Sequence, residues 1–292
     1  MSSRGLCHNT SRLGNRPAFS SNEGAIVKAK TMRAARAVKP KAPNGAIIYR
    51  GPSMLDGAPI VAIVVGLAND SSNRKTGGML QSYILRADTH PVQAIHAGLD
   101  YSICGNCPAR GDVAAGLGRT CYVEVGKGAA SVYGAFTRGG YPVAASVADL
   151  GAGRLVRLGT YGDPAAVPVA IWDALVSRAV AYTGYTHQWQ GAGAGLRHLC
   201  MASADSMADK VAADAAGWRT FRVINPGDAG PVRMAEALCP ASAEAGKKLT
   251  CAECKACNGT GTGRRASIAI YAHGGSAVMA NVRKRYATSV AV

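Results

Sequence analysis

Short apolar runs recur along this chain, and turn residues punctuate them. Ala46-Ile-Ile-Tyr-Arg50 and Pro59-Ile-Val-Ala-Ile-Val-Val-Gly66 flank Gly51-Pro52 and Asp56-Gly57, a pattern that predicts a hairpin. Gln81 to Arg86 reads as a further strand. A short helix is expected over 90–97, begun by Thr89 with Pro91 in its first turn. Helical patterns follow over 125–137 and 143–150. A regular alternation then sets in. Strands are expected at 154–160, 182–187, 197–203, 218–224 and 267–273. Helices are expected at 167–180, 206–216, 230–238 and 275–286. Strand–helix alternation at this spacing implies parallel βαβ units. The expected fold is α/β, a partial or complete parallel (β/α) barrel of TIM-barrel type with cysteine-rich insertions. In such a fold, polar residues at strand C-terminal ends share one face. Here they are Gly162-Asp163, His187-Gln188, Ser203 with Asp205, Asn225 and His273. His187, Gln188, Trp189 and His273 are placed to read a base by stacking and hydrogen bonding.

Two cysteine groups interrupt the alternation. The downstream one is Cys239, then Cys251, Cys254 and Cys257 at two-residue gaps. Overlapping CxxC steps wrap a backbone around an iron–sulfur cube, and Cys239 is the natural fourth thiolate. Zinc, the alternative, is more often gripped by two separated pairs. Lys247, Lys248, Lys255, Arg264 and Arg265 lie close by in sequence and would offset a cluster's negative charge. The upstream group is Cys104, Cys107 and Cys121, spaced C-x2-C-x13-C. Three thiolates on a 4Fe-4S cluster leave one iron open, and three on zinc leave a place for water or a fourth residue. Cys200, among apolar neighbours, reads as core.

Composition adds a charge asymmetry. The 292 residues carry a formal charge of +16. Half of that excess falls in residues 1–45, where nine Lys/Arg face Glu23 alone. This stretch reads as a basic arm preceding one α/β domain over 46–292. Such an arm attracts nucleic acid, and an organellar transit peptide shares its composition. No apolar leader opens the sequence and no run is long enough to cross a bilayer, so a cytoplasmic protein with reduced thiols is expected. The loop Asn69–Gly78 could hold a phosphate through Lys75, Thr76 and the backbone of Gly77 and Gly78, although P-loop spacing is lacking. No G-x-S-x-G elbow marks a hydrolase.

The order of these pieces resembles the radical-SAM superfamily. The chain also resembles small phage-encoded cysteine-cluster proteins of unknown function. In the superfamily a three-cysteine cluster follows the first barrel strand, and a Gly-Gly-Glu-Pro-like turn ends the second. Here Cys104, Cys107 and Cys121 come first, Gly162-Asp163-Pro164 follows, and Ser203-Ala204-Asp205 comes two strands later. The usual triad is C-x3-C-x2-C, and its aromatic residue stands here as Tyr122, just after the third cysteine. The resemblance implies a 4Fe-4S cluster on Cys104, Cys107 and Cys121 that binds S-adenosylmethionine (SAM) and, once reduced, cleaves it to a deoxyadenosyl radical. It implies that Gly162 and Asp163 meet the SAM amino end and that Ser203 and Asp205 meet its ribose. It further implies a second cluster on Cys239, Cys251, Cys254 and Cys257, a reductase as partner, and a nucleoside or nucleic acid as substrate. A non-catalytic zinc or iron–sulfur protein that binds nucleic acid is the competing expectation.

Overall fold

A computed structural model describes residues 42–71, 73, 75–247, 249–260 and 266–290. Residues 1–41 of the basic arm, with Cys7, lie outside the described residues, as do Lys248, Arg264 and Arg265.

The first apolar runs form the expected hairpin, β1 (Gly45–Pro52) and β2 (Pro59–Val65), paired antiparallel. Strand β3 (Leu80–Arg86) adds antiparallel to β2. Residues 60–64 of β2 are fully buried, which explains an apolar run without alternation: both faces of this strand are covered. Each such Ile or Val contributes about 1.5–3 kcal/mol by leaving water. Helix α1 (Pro91–His96) is capped by His90, whose Nδ1 accepts from the Val92 N–H at 3.3 Å. The expected cap Thr89 instead donates to Asp88 at 3.0 Å. Helices α2 (Tyr101–Cys104), α3 (Gly128–Thr137) and α4 (Val147–Gly151) follow, the last two shorter than expected.

From β4 (Leu155–Tyr161) onward every strand pairing is parallel. β4 lies between β3 and β5 (Ala181–Thr183), and helix α5 (Val169–Val176) connects β4 to β5. Trp172 on α5 is fully buried and its indole N–H donates to Pro164 O at 2.8 Å. The expected strand over 182–187 is broken in two at Gly184, with β6 (Tyr185–Thr186) on the far side. β5 belongs to a sheet ordered β1-β2-β3-β4-β5, while β6 opens a second sheet. A Cβ on Gly184 would stand 2.7 Å from Cys200 Sγ, so only glycine lets the chain pass the buried Cys200 where it changes sheets.

The second sheet contains β6, β7 (Met201–Ala204), β8 (Thr220–Ile224), β9 (Glu236–Leu238) and β10 (Ser267–Tyr271), in the order β6-β7-β8-β10-β9. Helix α6 (Met207–Ala215), capped by Ser206, links β7 to β8. Between β9 and β10 sits helix α7 (Cys251–Cys254), and helix α8 (Ser276–Val290) ends the described chain. The sequence pattern predicts a helix over 230–238, and the structure corrects this: residues 236–238 are an edge strand on β10. The stretch Met234-Ala-Glu-Ala-Leu238 is rich in helix formers, but a buried ion pair fixes its conformation. Arg222 Nε and Nη2 donate to the two Glu236 carboxylate oxygens at 2.9 and 2.8 Å, with both side chains out of solvent. Tertiary pairing outweighs intrinsic propensity here.

Candidate metal centres

The upstream cysteines are brought together by a loop that returns on itself. Cys104 ends α2, and Gly105, in a left-handed conformation at φ 56°, turns the chain toward Cys107. The thirteen residues before Cys121 make a detour. Asp112 and Leu117 exchange backbone hydrogen bonds at 2.9 and 2.8 Å, which folds the excursion into a small hairpin. The Cys121 N–H then donates to Ala109 O at 3.1 Å, so the third cysteine arrives beside the second. Buried Asp100 pins both legs, pairing with Arg110 at 2.6 Å and Arg119 at 3.4 Å. Burial pushes the Cys104 and Cys121 thiols up; the neighbouring cysteines push Cys104 further, while Arg119 opposes the rise at Cys121. Tyr161 neighbours this group. Its hydroxyl is buried without a hydrogen-bond partner among the described residues, and burial raises its pKa.

The downstream cysteines are held from three sides. Cys239 follows β9 directly, and its N–H donates to Ala269 O at 2.8 Å. Cys251 and Cys254 sit on α7, whose start is fixed by a capping box between Thr250 and Glu253. The loop after β2 reaches over to this helix, where Lys75 O and Thr76 O accept from the Cys251 and Ala252 N–H groups at 2.9 and 3.1 Å. Beneath the loop carrying Cys257, the Arg219 guanidinium donates to the carbonyls of Ala256, Asn258 and Ala266 at 3.0, 2.6 and 2.8 Å. Burial raises the Cys239 and Cys251 thiols and pushes Cys257 up to about 12.

Both groups face one cavity of about 1090 Å³, lined by Cys107, Cys121, Cys239, Cys251, Cys254 and Cys257. Ser203 and Asp205 at the end of β7 line it too. Gly162 and Asp163 do not. Gly162 (φ 85°) lets two strands close up, since a Cβ there would lie 2.7 Å from Ile84 Cβ and 3.1 Å from Ile84 O. Asp163 is buried and its carboxylate is occupied. One oxygen accepts from Ala165 N at 2.9 Å and Thr186 Oγ1 at 2.7 Å, and the other from His187 N at 2.8 Å. It caps the 3-10 turn at Pro164 and ties β4 to β6. Burial pushes this carboxyl above its ordinary range, against those hydrogen bonds.

His187 bridges the site. Its Nε2 lies 3.9 Å from Cys107 Sγ and 3.1 Å from Asp205. Burial works against a charged His187, but Cys107 and Asp205 outweigh it and raise its pKa well above the usual value. Tyr122 and His273 stack face to face at the cavity wall, with centroids 4.5 Å apart and planes 7° apart. The contacts of His187 with Cys107 and of Tyr122 with His273 join residues far apart in the chain and leave no periodic trace in the sequence. In the loop at 69–78, Lys75 and Thr76 line the cavity, but the Gly77 N–H is taken by Asn73 O.

The described cysteines form no disulfide. Among the described residues, no three His, Cys, Asp or Glu side chains stand close enough to hold a single metal ion. The donor set nonetheless suits an iron–sulfur cube, which is wider than an ion and takes its thiolates farther apart. The orphaned Tyr161 hydroxyl beside the upstream group suits it as well, as a donor to cluster sulfur. Among the described residues no helix is long and apolar enough to cross a membrane. No family model, curated protein or solved structure matches the chain. What the fold and site define is therefore a class: a mixed α/β chain that turns two cysteine groups toward one cavity.

Proposed function

We propose that the chain is an iron–sulfur protein of radical-SAM type that acts on a small molecule, with a nucleoside or nucleotide as the leading candidate. The observation that carries this reading is the shared cavity: both cysteine groups face it, with Ser203 and Asp205 beside them. Cys104, Cys107 and Cys121 would hold a cluster with one open iron, and Cys239, Cys251, Cys254 and Cys257 a second. When bound and reduced, such a cluster supplies one electron to the sulfonium of SAM. The parallel strands on either side of Gly184 are read as one partial (β/α) barrel whose strand ends bear the site. Ser203 and Asp205 would take the ribose hydroxyls, and His187 orients Asp205 toward them. Asp163 acts at one remove, holding the His187 backbone in place. A reductase is the partner this chemistry calls for.

Anaerobically prepared protein is expected to be brown, with about four irons per site, and to release 5′-deoxyadenosine when reduced with SAM. Colourless protein carrying zinc would establish the competing, non-catalytic reading. Cys254→Ser is expected to lose the iron of one site and to fall in solubility, because metal binding and folding are linked. Soluble, fully metallated Cys254→Ser protein would remove that residue from the ligand set. Cys107→Ser should abolish SAM cleavage while the downstream iron remains.

A further inference from the structure

Among the described residues, the arginines sunk into the fold meet a carboxylate or carbonyl with their guanidinium, even where one nitrogen such as Arg110 Nε is left over, whereas Arg157 at the cavity meets none. Arg222 is bidentate on Glu236, and Arg219 is saturated with loop carbonyls. Arg110 and Arg119 meet Asp100. Arg157, on β4, lines the cavity and forms no ion pair among the described residues. Its Nε is buried without an acceptor, and its guanidinium lies over the Tyr185 ring, 5.6 Å from the centroid. In register beside it on β5 is Thr183, 1% exposed, which also lines the cavity and whose buried hydroxyl lacks a partner among the described residues. Two adjacent donors without a protein acceptor at one cavity wall are left for water or a ligand to satisfy.

Local structure explains how they come to face inward. β4 carries a bulge, in which Gln81 pairs with Arg157 but Tyr83 pairs with Tyr161. Ser82 Oγ fills the gap, donating to Arg157 O at 3.0 Å and accepting from Gly159 N at 2.8 Å. The bulge brings Thr160 to the same cavity as Arg157. Lys75 lines the cavity as well, and it makes no ion pair among the described residues. The wall continues as Tyr185, Phe221, Val223 and Ile270, which is apolar and aromatic.

We propose that Arg157 and Thr183 form an oxyanion-binding subsite, so that the molecule acted on carries a carboxylate or phosphate next to a ring or other apolar body. Guanidinium recognises such groups through paired, charge-assisted hydrogen bonds, and a threonine hydroxyl supplies a further donor. The subsite shares its cavity with both cysteine groups. Burial raises the Cys251 thiol, and Arg157 opposes that rise. Arg157 therefore lies close enough to serve as a cluster counter-ion instead, and the test must separate the two roles. The inference deepens the substrate side of the function proposed above.

The test is anaerobic titration of the full-length protein with phenyl phosphate, benzoate and benzyl alcohol, with iron and sulfide measured on the same samples. One of the two anions should bind saturably and more tightly than benzyl alcohol, and which one does so identifies phosphate or carboxylate. Arg157→Gln should weaken that anion about tenfold or more, the loss expected for one charge-assisted contact, and leave benzyl alcohol unchanged. Thr183→Val should weaken it less, and it provides an independent variant if Arg157→Gln does not fold. Anions that bind no better than benzyl alcohol would overturn the subsite. So would a folded Arg157→Gln protein that loses iron yet keeps its anion affinity, which would make Arg157 a cluster counter-ion only. Anion binding that depends on Arg157 in protein without iron would support the subsite and count against the clusters. Full iron content without such binding would do the reverse.

Discussion

Glu236→Gln is expected to destabilise the protein by about 3–5 kcal/mol, the cost of leaving one charge of a buried pair unmatched. The Glu236 carboxylate accepts from Arg222 on two sides and from the Val232 N–H at 2.8 Å, with no solvent to replace any of them. The effect should depend on pH with a definite sign. Burial alone would raise the Glu236 pKa, but the hydrogen bonds from Arg222 and Val232 outweigh it and hold the value below the ordinary carboxylate range. The pair's contribution is thus fully present above the unfolded value, about 4.3, and is lost as pH falls through the lower folded value. Urea unfolding of wild type and variant at pH 7 should differ widely, and the gap should narrow in acid. Coincident midpoints at pH 7 would mean the pair adds nothing. Cys239 lies three residues beyond Glu236, so loss of the edge strand should also lower the iron content proposed for the downstream group.

Replacing Asp163 separates scaffold from ligand. Asp163→Ala removes the acceptor for two backbone N–H groups and a threonine hydroxyl, all at a buried junction. The expected loss is about 3 kcal/mol or more in protein without SAM. Asp163→Asn should cost less, because one oxygen survives and an NH2 group replaces the other. If instead Asp163 contacts the SAM amino group, Asp163→Asn should weaken SAM binding and leave the thermal midpoint of SAM-free protein unmoved. The two measurements together assign the residue.

The sequence disclosed the parallel alternation where a strand is a dense apolar run bounded by turn residues, as at 267–271. It misled at 230–238, where helix-forming side chains run through a turn into the strand 236–238, held by Arg222. It could not show the break at Gly184, which depends on the approach of Cys200 from another part of the chain. The resemblance implies that Asp163 meets SAM, and the structure shows its carboxylate capping the turn at Pro164, a contact set by the fold and not by sequence order. Arg157 was the least visible, since a lone arginine in a strand has no spacing signature. Its meaning comes from an absent acceptor and a neighbouring threonine on the next strand.

The backbone bond from Cys121 to Ala109 frees the residues between them from any fixed count. A chain with a tip of another length there would still return its third cysteine to the same place, so a motif search that demands a set interval would pass it by. The apex near Val113, which is 70% exposed, is also a natural point to insert a purification tag or fluorophore close to the cavity without disturbing its walls.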